Sequence, residues 1–464
     1  MAAAPRPTPD GSPRRGGPGP ILAAALICAA ALPAPCRPAE PPQGPETPGT
    51  ALARRLLQDP PASDWARLAG FGGTLTRAEF EGRLRGVFDP YGGMDGYLRI
   101  TDGGVTVLPA ERANAQPVTV AFAQPGAPRR AAPRPFATPQ EYRSRPAAAA
   151  GPLAGLRVAI EPADIGGDWA RMEDRSAFFR GYGTVNEGDL NLQVCAILSQ
   201  RLRALGATVF AVRTRSEPVT SVRPADLAPI IALVLRERPA LFPEAFWIRD
   251  REGFRDPGAR LRAASELLLT KTIETRARAE LVRREFRPDL TIVLQHNATP
   301  GSSGGHLAAQ NRNVFFVDGA FAPDELREPG ERLRLLEKLL EDVTPVELAV
   351  AERISARFKA ATGFPPVLYH DSPSTRALIP GDPYVVARNL AFNRAHDGPV
   401  VVTEPYFMNQ AETLERIMAG DYDGERVVAG RPRASVFREY AGAVAQGILD
   451  AYGPAGRGPG LEKL

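Results

Sequence analysis

Leu156-Arg-Val-Ala-Ile160, then Leu190, Val194, Ile197, Leu198, Leu202 and Leu205, then Ala207-Thr-Val-Phe-Ala-Val-Arg213: this stretch decides the fold. The first segment is a short apolar run of the kind buried in a parallel sheet. The second set recurs at helical spacing, and Gly206 supplies the stop. The third returns as a strand. Strand, amphipathic helix and strand make a βαβ unit, which predicts an α/β fold: an open, mostly parallel sheet with helices on both faces. Further buried strands are expected at Leu290-Thr-Ile-Val-Leu294, at Asn313-Val-Phe-Phe-Val317 and, as the last strand, at Val400-Val-Val402. Leu333 to Ala360 reads as helix, and Ala434 to Tyr452 as a closing helix packed on the sheet. Ser216 to Phe286 is a long, mainly helical insert broken by prolines in its first half.

Upstream the chain is organised differently. Arg6, Arg14 and Arg15 precede Ile21-Leu-Ala-Ala-Ala-Leu-Ile-Cys-Ala-Ala-Ala-Leu32, with small residues and prolines after it. A basic start, a short apolar core and small residues near a cleavage point describe a secretory signal over 1–36. The run falls short of the ~20 apolar residues a bilayer span needs. The expectation is export to the periplasm or cell envelope, with no integral membrane segment after signal removal. Residues 37–50 read as a disordered, Pro-rich spacer, 51–123 as a small N-terminal α+β unit, and 124–150 as a Pro/Ala-rich linker. In the small unit, Leu52–Leu57 and Thr76–Val87 carry helical spacing. Thr76-Arg-Ala-Glu79 offers a capping box, and Tyr97–Ile100 and Val105–Leu108 alternate as short strands. Residues 151–455 form the main domain and 456–464 a flexible tail.

Composition narrows the function. The 57 basic and 53 acidic residues leave a net charge of only +4 on 464 residues, scattered without a dense basic tract. That argues against a nucleic-acid partner. Three cysteines cannot build a disulfide framework. Cys28 and Cys36 fall in or beside the apolar leader, and Cys195 lies on the apolar side of the predicted helix, where a thiol acts as a small hydrophobe.

Three polar residues stand where apolar strands end or helices begin. His296 follows Leu290-Thr-Ile-Val-Leu-Gln, Glu404 follows Val400-Val-Val-Thr, and Glu187 opens the long amphipathic helix. In open α/β sheets the carboxyl ends of the strands gather at one rim, where sites form. A His and two Glu there suit a metal site or an acid–base pair. Singly, each has an ordinary account: a dipole-favouring Glu, a satisfied loop His, a surface carboxylate. Their joint placement is what points to chemistry. His306 lies past Gly301-Ser-Ser-Gly-Gly, read as a flexible loop near the rim, and His370 and His396 read as surface or loop histidines.

Four blocks then carry a family resemblance: Ile160-Glu-Pro-Ala-Asp-Ile-Gly-Gly167, Asn186-Glu-Gly-Asp-Leu-Asn-Leu192, Pro288-Asp-Leu-Thr-Ile-Val-Leu-Gln-His-Asn-Ala298 and Val400-Val-Val-Thr-Glu-Pro-Tyr-Phe-Met-Asn409. In order, spacing and strand context they resemble the zinc-dependent N-acetylmuramoyl-L-alanine amidases of the type-three family, with an amidase/phosphorylase-like sheet. The resemblance implies Glu187 and His296 as zinc ligands and Glu404 as the catalytic glutamate. The family's first ligand, a His, is replaced here by Asp164; Glu161 and Ala163 stand where the family has Asp and Gly, while Gly166-Gly167 remains. Asp is a competent zinc ligand through oxygen. With Asp164, Glu187 and His296 the ligand charge is −2, which cancels the ion, weakens it as a Lewis acid and tilts preference toward manganese or no metal.

The implied activity is hydrolysis of the amide between N-acetylmuramic acid and L-alanine in peptidoglycan, by metal-activated water with Glu404 as base. The alternative is a catalytically degenerate relative that binds peptidoglycan or a wall-enzyme partner. The resemblance also places the 216–286 insert where, in some such amidases, an inserted helix covers the site until a regulatory protein partner removes it. Asn297 and Asn409 are candidates to orient groups at the rim.

Overall fold

A computed structural model describes residues 51, 58–109, 116–146, 150–231, 233, 256–299, 305–369, 374–379 and 382–454. The expected leader and spacer, the Leu52–Leu57 helix, His370 and the 456–464 tail lie outside the described residues. No described helix is long and apolar enough to cross a membrane.

The small N-terminal unit forms where the sequence places it. Helix α1 (Arg77–Arg83) starts at Thr76, whose hydroxyl accepts from the Glu79 amide at 3.3 Å while the Glu79 carboxylate accepts from the Thr76 amide at 2.9 Å. That reciprocal pair satisfies two backbone donors otherwise left open at a helix start. Strands β1 (Leu98–Ile100), β2 (Gly104–Val107) and β3 (Val118–Ala121) make an antiparallel sheet. The third strand was not expected, because Val118-Thr-Val-Ala is short and flanked by polar chain. Trp65, Phe80 and Phe88 join the same apolar cluster as the main core. Backbone bonds from Ala320 and Phe321 to Val87 and Phe88 (2.7 and 2.8 Å) fasten the two together.

The main sheet has seven strands, which we name in chain order: β4 (Arg157–Pro162), β7 (Thr208–Ala211), β8 (Leu290–Leu294), β9 (Val314–Val317), β10 (Thr375–Ala377), β11 (Val385–Arg388) and β12 (Val400–Glu404). A separate hairpin, β5 (Ser176–Phe179) and β6 (Gly183–Asn186), precedes helix α2 (Glu187–Ala204). The spatial order is β10-β11-β9-β12-β8-β4-β7. Pairs β7–β4, β4–β8, β8–β12 and β9–β11 are parallel; β9–β12 and β10–β11 are antiparallel. The fold is therefore the expected mostly parallel α/β sheet. An apolar run cannot announce its own direction, so the reversal at β9 was not legible.

Burial on both faces explains the uninterrupted apolar strands. Ile160, Ile292, Val401 and Phe315 point into one cluster, and Val293, Val402 and Phe316 into another. That is the period-two alternation of a strand covered on both sides. The expected helix from Leu333 to Ala360 is in fact two: α5 (Pro329–Glu341) and α6 (Val343–Thr362), broken where Asp342 takes φ 63°. Asp tolerates this left-handed conformation better than most side chains. Nor is Val400–Val402 the last strand. A polar hairpin, β13 (Glu425–Val428) and β14 (Arg431–Ala434), follows it around Ala429-Gly430. With little apolar content it gave no strand signal. The closing helix α7 (Val436–Tyr452) forms as expected and packs between α2 and α6.

The insert is tied to the sheet by buried charge. Its helix Glu274–Glu285 lays Val282 against Ala159 and Val212. Arg278, 1% exposed, pairs with Glu274 at 2.8 Å and with Glu161 of β4 at 3.4 Å. Glu274 also accepts from the Val219 and Thr220 amides at 2.9 and 3.0 Å. The second Glu161 oxygen meets His396 Nε2, so His396, expected on the surface or in a loop, lies in a bend but is buried in the network. Burial alone would raise the Glu161 carboxyl; His396 and then Arg278 outweigh it and hold the group below its ordinary range. Removing one member of such a network strands a buried charge. Arg278→Met is expected to destabilise the chain by ~3–5 kcal/mol in urea unfolding, because Glu161 and Glu274 lose the cation they share.

Candidate active site

Strands β4, β8 and β12 run side by side in one direction, so their carboxyl ends share a rim. Asp164 lies two residues past β4, His296 two past β8, and Glu404 ends β12. Glu187 starts α2, whose N-terminus faces the same place. All four are at least 92% buried. The sequence-predicted set is thus brought to one rim.

The Asp164 loop is held from every side. Arg213, whose side chain is buried, donates to the Pro162 carbonyl at 2.9 Å, to Ile165 at 2.8 Å and to Asp164. The Ile165 amide donates to Glu173 at 2.7 Å, and the Gly167 amide to Asp189 at 3.0 Å. Asp164 itself sits at φ 59°, in the left-handed region. Asp, with a short polar side chain, is among the non-Gly residues found there most often. The loop rests directly on the α2 start: a Cβ on Gly188 would fall 2.7 Å from the Ile165 carbonyl carbon.

His296 has a defined tautomer. Asn191 Nδ2 donates to the Ala163 carbonyl at 2.9 Å, so its Oδ1 is the atom facing His296 Nδ1 at 2.8 Å. An acceptor there requires the proton on Nδ1 and leaves Nε2 as a bare lone pair. That Nε2 is buried and has no hydrogen-bond partner. Burial pushes the imidazole down to about 3, so it stays neutral. Asn191 was missed in the sequence, although its position four residues after Glu187 on the buried helix face was a readable signal.

The carboxylates are in conflict. Burial, and then the Asp164 charge, push the Glu187 carboxyl well above the ordinary range. Burial would raise Asp164 too, but the charges of Arg175, Lys271 and Arg278 and a hydrogen bond from Glu187 together outweigh it and hold that group low. Arg175 Nε lies 3.4 Å from Asp164 Oδ1 and 3.6 Å from Glu187 Oε2. Glu187 Oε1 accepts from the His296 amide at 3.1 Å. Asp164 Oδ2, like His296 Nε2, is buried without a hydrogen-bond partner. Arg175, in the turn before β5, gave no signal in the sequence.

Glu404 is buried and held by one neighbour. Asn297 Nδ2 donates to its Oε2 at 2.8 Å. Burial pushes its carboxyl up to about 7, with Asp164 adding to the rise and Arg388 and Arg175 opposing it. Arg388, also unanticipated, donates to the Tyr369 hydroxyl at 3.1 Å and lies over that ring. Asn409 instead braces the loop, donating to Thr299 Oγ1 at 2.7 Å and to the His306 carbonyl at 2.9 Å.

Among the described residues, no group of three or more His, Cys, Asp and Glu side chains is drawn together as a ready metal site. Two buried polar atoms at the rim nonetheless lack a hydrogen-bond partner. They are the neutral imidazole nitrogen of His296 and one carboxylate oxygen of Asp164, beside a carboxylate pair that Arg175 approaches at 3.4 and 3.6 Å.

No protein-family model matches the sequence. No curated protein matches it either. Solved structures of N-acetylmuramoyl-L-alanine amidases are similar to it at low identity. The apo N-acetylmuramyl-L-alanine amidase from Mycobacterium abscessus is 14% identical with a TM-score of 0.34, over 64% of this chain and 99% of that one. The catalytic domain of the amidase CwlV from Bacillus (Paenibacillus) polymyxa var. colistinus is 12% identical with a TM-score of 0.33, over 64% and 97%. Cwp6 from Clostridium difficile is 13% identical with a TM-score of 0.31 over 64% of this chain, which spans only 29% of the length of Cwp6.

Two outcomes follow from the site geometry. In the wild type, ionising Glu404 costs stability as pH rises from the ordinary carboxylate value, 4.5, through about 7. Glu404→Gln removes that cost: its melting temperature is expected to exceed wild type at pH 8, with the gap closing by about pH 4. Scanning calorimetry across that range reads it. Gly188→Ala is expected to lose about 1–3 kcal/mol through its clash with the Asp164 loop, measured by urea unfolding.

Proposed function

We propose that this chain is an exported cell-wall hydrolase, an N-acetylmuramoyl-L-alanine amidase acting on peptidoglycan. The observation that carries the reading is the pairing of His296, neutral with an unpartnered Nε2, with Glu404, whose carboxyl titrates near neutrality at the same rim. The four sequence blocks that resemble the type-three amidases supply the reaction and the substrate. The leader expected over residues 1–36 supplies the export.

Asp164, Glu187 and His296 would hold a zinc or manganese ion, which when bound supplies Lewis-acid polarisation of the amide carbonyl and of a water molecule. Asn191 fixes the His296 ring by accepting from Nδ1, which leaves Nε2 as the unpartnered atom. Glu404, ionised above about pH 7, takes the proton from the attacking water and returns it to the leaving nitrogen. The bond that breaks joins the lactyl carbonyl carbon of N-acetylmuramic acid to the amine of L-alanine. The products are a carboxylic acid and a free amine. Asn297 keeps the Glu404 carboxylate in one orientation through its 2.8 Å bond.

A second reading has its own observation. Asp replaces the family's first His ligand, and Arg175 already lies beside both carboxylates. A chain arrested in that state would bind peptidoglycan without cutting it.

The deciding experiment is elemental analysis of the purified protein beside an assay for free L-alanine amine released from purified peptidoglycan. The amidase reading expects about one zinc or manganese per chain, lost in His296→Ala, and release that falls ~10²–10⁴-fold in Glu404→Gln. Metal-free protein that sediments with peptidoglycan and releases no amine, even with zinc added, establishes the binding reading instead.

A further inference from the structure

Tyr369 is brought to the site by backbone pairing. The Val367 amide donates to the Asn313 carbonyl at 3.0 Å, and the next residue, Val314, faces Glu404 across β9 and β12. Tyr369, two residues past Val367, is thereby delivered to the Glu404 end of that strand pair. Its ring packs edge-on against Phe316, with centroids 5.7 Å apart, and the Arg388 guanidinium lies 5.3 Å from its centre. We propose that Tyr369 is a catalytic residue of this site, its hydroxyl donating a hydrogen bond to the carbonyl oxygen of the amide under attack. The inference rests on the amidase reading above and adds a group that reading does not use.

The neighbours of the hydroxyl leave it a donor. Arg388 Nη1 donates to its oxygen at 3.1 Å. Asn297 bonds the same hydroxyl, and its Oδ1 already accepts from the Ala298 amide at 2.7 Å, which leaves Nδ2 as the atom it offers. Both contacts are spent on the oxygen, and among the described residues none accepts the O–H proton. A phenol carries one donor hydrogen, so what this group still has to give is that hydrogen. Burial, with the Glu404 charge adding to it, raises the hydroxyl above its ordinary value against the opposing Arg388 charge, so the proton stays on. Arg388 forms no ion pair among the described residues, and its charge polarises the O–H it touches.

Asn297 sets the distance between the two groups. Its Nδ2 also donates to Glu404 Oε2 at 2.8 Å. The two N–H bonds of one amide diverge by about 120°, which puts Glu404 Oε2 and the Tyr369 hydroxyl ~5 Å apart. That spacing fits two oxygens on one carbon: the attacking water held by Glu404 and the carbonyl oxygen held by Tyr369. As the water oxygen bonds to the carbonyl carbon, its proton passes to Glu404 and the C=O π pair moves onto the carbonyl oxygen. The hydrogen bond from Tyr369 strengthens there while the proton stays on the phenol. When the C–N bond breaks, that pair re-forms the carbonyl and Glu404 gives its proton to the leaving nitrogen. A donor fixed beforehand and aimed at charge that develops only in the transition state lowers the barrier without tightening substrate binding. Tyr369 is part exposed and Leu368 beside it is exposed, so a substrate can reach the hydroxyl.

The test is the rate of amine release from purified peptidoglycan, with zinc added, by full-length wild type, Tyr369→Phe and Glu404→Gln. Tyr369→Phe keeps the ring and its packing and removes only the donor. Its kcat is expected to fall ~10²-fold with KM within about twofold of wild type. Its melting temperature and its sedimentation with peptidoglycan are expected to match wild type. The acid limb of its kcat–pH profile, set by Glu404, is expected to stay where wild type has it. Wild-type kcat in Tyr369→Phe, beside a disabled Glu404→Gln, overturns the role of Tyr369 and leaves the amidase reading standing. So does a raised KM with kcat unchanged, which marks a ground-state contact. So does a displaced acid limb, which marks a residue that only positions Glu404. No amine release by wild type overturns both.

Discussion

Two carboxylates buried next to each other at the rim of a sheet are the constraint around which this site is arranged. Asp164 and Glu187 cannot both ionise there without a nearby positive charge. In the chain as it stands Arg175 provides that charge, and the Glu187 carboxyl still lies well above its ordinary range. The surrounding hydrogen bonds read as the means of holding this arrangement in place. Arg213 grips the carbonyls of the Asp164 loop, Glu173 and Asp189 grip its amides, and Asn191 links the loop to His296. None of these side chains is free to relax the repulsion by moving the loop away.

The same logic extends one layer down. Glu161 is the residue of β4 that precedes the site loop, and its carboxylate is shared by Arg278 of the insert and by His396. Buried charge of this kind contributes little net stability, but loss of one partner is costly. Its consequence is geometric: the insert helix, the strand and the His396 turn are fixed to one another beneath the rim. The insert is thus packed on the sheet through its Glu274–Glu285 helix.

Asp164 does more than cap the loop that follows β4. It adds a negative charge to the rim, and the left-handed backbone at residue 164 suits the short carboxylate side chain. The extra charge raises the need for a positive group, which Arg175 meets at 3.4 Å.

The succession β4, α2, β7, β8, β9 and β12, the capping box at Thr76, the closing helix and the rim position of Glu187, His296 and Glu404 were legible in the sequence. They are set by local periodicity and by where apolar runs end. Strand direction at β9 and the break at Asp342 were not, since neither changes the hydrophobic pattern of the run that contains it. The polar hairpins and the edge strand β10 escaped because they bury too little to leave a pattern. The network roles of His396, Asn191, Arg175 and Arg388 belong to the tertiary structure alone. Each side chain meets partners distant in sequence or around a turn, and its state is decided by the charge and burial it finds there. The sequence by itself determined which residues could do chemistry at the rim; only the folded chain decided which of them share a proton, a tautomer or a counter-charge, because those depend on distances that no spacing along the chain encodes.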